Sequence, residues 1–71
     1  MRYENGQLVY VGDVVSFEPD FTGVVVCTPD TREFSIEYPE HAYGGYLGVF
    51  IMTDQAGLFH LEFNDIGLSR R

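Results

Sequence analysis

Short apolar runs of strand length recur along the chain with turn residues between them, and no window repeats at the 3.6-residue spacing of a helix. Two runs answer each other, Val11-Gly12-Asp13-Val14-Val15 and Thr22-Gly23-Val24-Val25-Val26, and in each a glycine leads into β-branched residues that favour a pleated strand. The first predicts a strand over residues 14–17. Glu18-Pro19-Asp20 predicts a turn, with proline suited to its first central position. The second run predicts a strand over residues 23–28, and the unbroken Val24-Val25-Val26-Cys27 predicts burial on both of its faces. Pro29-Asp30-Thr31 ends it.

Upstream, Asn5-Gly6 lies between short apolar stretches and predicts a small hairpin or bent arm over residues 3–10. Downstream, residues 32–36 predict a third, shorter strand. Residues 37–46 are irregular, because Pro39 blocks a central strand and Gly44-Gly45 loosens the backbone; residues 40–43 leave room for a short helical turn. Residues 48–53 predict a strand of nearly continuous apolar character, and Asp54-Gln55-Ala56-Gly57 has the length of a hairpin connection. Residues 58–63 alternate cleanly, with Phe59, Leu61 and Phe63 on one face and His60 and Glu62 on the other. Asn64-Asp65 turns the chain, and Ile66 and Leu68 are placed to close one end of the core. The expectation is one all-β domain over residues 1–71, a small SH3-like five-stranded antiparallel barrel or strongly bent sheet. An OB-fold fits less well, since it usually needs a longer chain and often a helix.

Seventy-one residues bury only about 60% of their unfolded surface, so the core is thin. Eleven acids face four arginines and no lysine, for a formal net charge of −7. That balance argues against a nucleic-acid or anionic membrane partner, because such binders concentrate Lys and Arg. It favours a cationic protein surface, whose opposite field speeds encounter; the competing account is that the charge serves solubility alone. Cys27 is the single cysteine, so no internal disulfide forms, and a lone thiol fits a reducing compartment. Charges at Arg2, Glu4, Asp13, Glu18 and Asp20 leave no apolar core for a signal peptide, and no apolar run approaches the roughly 20 residues of a membrane helix. A cytoplasmic protein is the expectation.

Little in the chain suggests a reaction. Cys27 with His41 or His60 is the only thiol pairing, and a cysteine inside an apolar strand behaves as a small hydrophobe. There is no G-x-S-x-G elbow and no phosphate loop with its lysine. The two histidines lack ligand spacing, Asp13, Glu18 and Asp20 read as solvated turn acids, and no metal or other cofactor is expected. Among eleven acids close pairs arise by chance, so paired carboxylates carry no weight for glycoside chemistry. The candidate binding segment is residues 32–46, where Glu33, Glu37 and Glu40 alternate with Phe34, Tyr38, Tyr43 and Tyr46. Tyrosines supply large contact area with a polar tip, and carboxylates beside them accept arginine forks. The partner-binding residues expected are Glu33, Glu37, Tyr38, Glu40, Tyr43 and Tyr46. The competing account is that these tyrosines cap an undersized core while the glutamates keep the loop solvated.

Several stretches resemble a family of short bacterial proteins with a V-G-D-x-V start, a G-x-V-V strand, a D-T-x-x-[YF]-S segment, a Y-L-x-x-G-V-like strand start and T-D-x-A-G-L-x-H. They are Val11-Gly12-Asp13-Val14-Val15, Gly23-Val24-Val25-Val26, Asp30-Thr31-Arg32-Glu33-Phe34-Ser35, Tyr46-Leu47-Gly48-Val49 and Thr53-Asp54-Gln55-Ala56-Gly57-Leu58-Phe59-His60. The chain departs from the pattern in a shorter Tyr-Leu-to-Gly spacing and in Gly44-Gly45, where bulkier residues are expected. Some members of that family look like immunity proteins encoded beside polymorphic toxins. The resemblance implies a non-enzymatic inhibitor that binds the catalytic domain of a cognate toxin; its motif residues read as structural, with glycines and Asp13 and Asp54 at turns and valines in the core. The alternative class is an SH3-like adaptor or assembly module, in which the exposed strand edges of a partly open barrel allow a homo-oligomer.

Overall fold

The structure is a computed structural model that describes residues 1–18 and 20–71. Five strands form one antiparallel sheet: β1 (Val14–Phe17), β2 (Phe21–Cys27), β3 (Val49–Thr53), β4 (Gly57–Leu61) and β5 (Ser69–Arg70). Their spatial order is β4-β3-β2-β1-β5. The sheet is not closed, so of the two expected forms it is the bent sheet that the chain adopts, with β4 and β5 as its edges. Among the described residues the helical content is a 3₁₀ turn at Pro29–Thr31 and the single turn α1 (Glu40–Tyr43).

Period-two alternation sends Val15, Phe17, Val25, Val49, Ile51 and Leu61 to the inner face. Tyr3 and Val9 of the N-terminal arm and Leu68 from the far end of the chain cover them, with Phe59 and Ile66 packed at the margin. The Phe17 ring meets Phe59 at 5.2 Å and Phe21 edge-on at 5.3 Å. The arm turns at Asn5-Gly6 as expected, with the Tyr3 N–H donating to the Gln7 carbonyl and a bridge between Arg2 and Leu8.

One carboxylate ties this arm to the sheet. The Tyr3 hydroxyl donates to Asp13 Oδ2 at 2.7 Å, and the Tyr10 N–H donates to the same oxygen at 3.0 Å. Arg70 Nε on β5 lies 3.8 Å from Asp13 Oδ1. Asp13 therefore joins the arm, the turn before β1 and the β5 edge.

Three expectations need correction. Residues 32–36 do not form a strand: only a Thr28–Glu33 bridge exists. The 3₁₀ turn, closed by Thr28 Oγ1 and Thr31 Oγ1 at 2.8 Å, delivers Arg32 in a left-handed conformation (φ 57°), which directs the chain away from β2. The fifth strand is Ser69–Arg70 instead. The strand expected over 58–63 stops at Leu61 and leaves Phe63 exposed. Finally, β2 is not buried on both faces, since Val24 is exposed; a register shift between Val25 and Cys27 leaves Val26 half-buried and returns Cys27 to the interior. The proline of the expected 18–20 turn lies outside the described residues.

Candidate functional site

The alternation that fills the core also sets a row of apolar side chains on the other face. Val14 pairs with Val24, Val24 with Met52, and Met52 with Leu58, so four strands contribute one residue each to a continuous line. These side chains are between 39% and 48% exposed. Beside the row, β2 and the loop at 35–38 border a groove of about 530 Å³ lined by Val24, Val26, Ser35, Ile36, Glu37 and Tyr38. The Ser35 hydroxyl fixes this loop by donating to the Val26 carbonyl at 2.8 Å, and Ile36 stands 98% exposed on it. Together the row and groove make an apolar surface of the kind that marks a contact site.

Next to the groove, the tyrosines of the 32–46 segment pack on β3 and β4. Phe50 points to the outer face yet is buried, because Tyr43 and Tyr46 meet it edge-on at 5.0 and 5.2 Å while His60 stacks on it at 4.3 Å. Tyr38 continues the cluster against Tyr43 at 5.3 Å. The His60 Nε2–H donates to the Leu47 carbonyl at 2.7 Å and so fixes the loop on β4.

The six expected binding residues separate into three situations. Glu33 is half-buried and accepts the Val11 N–H at 2.5 Å, and Glu40 is paired with Arg32. Tyr38 and Tyr43 are half-buried in the aromatic cluster. Glu37 and Tyr46 are exposed, Glu37 on the groove rim. The structure adds Val14, Val24, Ile36, Met52 and Leu58, which the apolar pattern alone assigned no surface role. Register held the missing signal: residues 52 and 58 are equally spaced about the 54–56 turn, as 14 and 24 are about position 19.

Seven of the acids gather at the two ends of β2. Glu18, Asp20 and Asp54 sit at the end where both hairpins turn; Thr22 Oγ1 donates to Asp54 Oδ2 at 2.8 Å, and Arg71 borders the same end. Glu33, Glu37 and Glu40 lie toward the other end, about 20 Å away for a seven-residue strand. Asp30 is also at that end and accepts the Gly48 N–H at 2.8 Å. The apolar row runs between the two acidic groups.

Cys27 is fully buried, and burial pushes its thiol pKa up, which holds it as the unreactive thiol. Among the described residues no three of His, Cys, Asp and Glu gather closely enough to share a metal ion, and no helix is long and apolar enough to cross a membrane. Comparison with protein-family models, curated proteins and solved structures finds no significant match to this chain.

Proposed function

We propose that this chain is a non-enzymatic binding protein that docks a basic protein on its outer sheet face. Guided by the motif resemblance, we assign that partner as the catalytic domain of a bacterial toxin, which the bound chain neutralises. The observation that carries the reading is the exposed row Val14–Val24–Met52–Leu58 set between two acidic groups. An apolar centre with a charged rim is the anatomy of a protein interface. A net charge of −7 selects a cationic partner and speeds its approach. Within this reading, Glu37 and Tyr46 contribute directly at the rim, whereas Glu33, Tyr38, Glu40 and Tyr43 shape the loop that presents Ile36.

The test is growth rescue. The basic C-terminal domain of a secreted protein encoded next to this gene is expressed with the wild-type chain or with a Val24→Lys, Met52→Lys variant, whose fold is checked by circular dichroism. Wild type is expected to restore growth and the double variant to lose rescue. Failure of the wild type overturns the toxin assignment. Full rescue by the folded double variant removes the outer face as the docking surface.

A further inference from the structure

The two edges of the sheet are built differently. β5 contributes two residues, the second of them Arg70, and Arg71 follows it. β4 contributes five, Gly57-Leu58-Phe59-His60-Leu61, with no Lys, Arg, Asp, Glu or Pro among them. Natural edges are usually guarded by such residues, because alternate N–H and C=O groups along a free edge template another strand. Among the described residues, no backbone hydrogen bond outside the β3–β4 ladder engages residues 58–62.

We propose that β4 pairs antiparallel with β4 of a second copy of this chain, about a two-fold axis at Phe59, joining two five-stranded sheets into one. The sequence of the strand suits that symmetry. Phe59 meets its own copy, Leu58 faces His60 and Gly57 faces Leu61, so the inner faces of both sheets stay on one side. Phe59 packs at the margin of the core and is only partly buried; the second Phe59 covers its open side. Leu58, exposed in the monomer, gains the His60 ring as a cross-strand neighbour. A partner in heterologous, head-to-tail pairing would instead have to use the short arginine-bearing β5 edge, which favours the closed dimer over a chain of subunits.

Pairing five residues per copy makes an interface below the roughly 1,200–2,000 Å² of stable complexes, so the dimer is a weak one. Each copy carries a net charge of −7, and Glu62 and Asp54 flank the seam. Salt therefore strengthens this association by screening repulsion, whereas it weakens the docking of a basic partner. The dimer does not depend on the toxin assignment.

Sedimentation equilibrium of the full chain, from about 10 µM to about 1 mM, tests it at low and high salt. The mass is expected to rise from 8.1 kDa toward twice that value, more steeply at high salt. Leu58→Lys, at an exposed edge position, is expected to weaken the dimer by about tenfold or more. Ser69→Lys on β5 and Met52→Lys, on the outer row but off the edge, leave the curve unchanged. Amide exchange is expected to show alternate β4 N–H groups gaining protection as concentration rises. A mass of 8.1 kDa throughout, dispersal by Ser69→Lys or Met52→Lys but not by Leu58→Lys, or self-association without new β4 protection each overturns the proposal.

Discussion

Replacing Tyr3 with Phe removes one hydroxyl and leaves the ring in place. That hydroxyl donates to Asp13 Oδ2 at 2.7 Å from a side chain only 5% exposed. A hydrogen bond to a charged acceptor contributes about 1.5–3 kcal/mol. Asp13 keeps the Tyr10 N–H and the nearby Arg70, so the cost at pH 7 is expected nearer about 1–2 kcal/mol. In a domain of this size each kcal/mol lowers the melting midpoint by about 4–8 °C. The pH dependence distinguishes this bond from a generic packing defect. Burial, then the bond to Asp13 and its negative charge, push the Tyr3 phenol well above its ordinary value, while Arg70 acts weakly the other way. The folded state therefore holds the proton when the unfolded chain has released it. The stability linked to Tyr3 is complete below the unfolded value of about 10 and falls by about 1.4 kcal/mol per pH unit above it, until the folded phenol ionises. Phe has no proton to lose. Urea unfolding of both proteins between pH 7 and pH 11 should show the wild type ahead at neutral pH and the gap closing above pH 10. A gap that stays constant across that range, or no gap at pH 7, refutes the reasoning.

Gly48 adopts φ +80°, and a Cβ there runs into the Leu61 carbonyl and the Glu62 backbone, so Gly48→Ala should cost about 3 kcal/mol or more in a urea titration. Glu33→Ala removes the acceptor for the Val11 N–H and should cost about 1–2 kcal/mol, while Glu37→Lys at the exposed rim should stay within about 0.5 kcal/mol. If Glu37→Lys destabilises as much as Glu33→Ala, the division between structural and rim glutamates is wrong. Cys27 should resist a thiol reagent in the native protein and react only as fast as the chain opens; rapid stoichiometric labelling of folded protein contradicts its burial.

The strands that form hairpins were legible because a hairpin is a local object. Val14–Phe17, the valine run and the two strands around Asp54-Gln55-Ala56 carry their own apolar runs and turn residues. Ser69–Arg70 was not legible: two polar residues have no strand signal, and their conformation comes from pairing with Val15 and Ser16, over fifty positions away in the chain. The false strand at 32–36 has the opposite origin. Its alternation is genuine, but the left-handed Arg32 turns the segment off the sheet after one bridge. For the candidate site, composition identified the tyrosines and glutamates of residues 32–46 but not their employment. Whether a glutamate binds a backbone N–H, as Glu33 does, or stands at a rim, as Glu37 does, depends on tertiary neighbours 22 positions away. The apolar row was hidden for a related reason. A valine that faces solvent and one that faces the core look alike until neighbouring strands fix which face is covered.

The aromatic cluster of His60, Phe50, Tyr43 and Tyr46, fixed by the bond from His60 to Leu47, has a thermodynamic consequence. A loop that must order on binding adds an entropic penalty of about 0.5–1.5 kcal/mol for each side chain immobilised. Here Tyr38 and Tyr43 are already held by folding, and the loop backbone is pinned to β4. A calorimetric measurement on a complex of this protein would then show a heat-capacity decrease set by the apolar area covered, without the large opposing enthalpy and entropy of a coupled folding step.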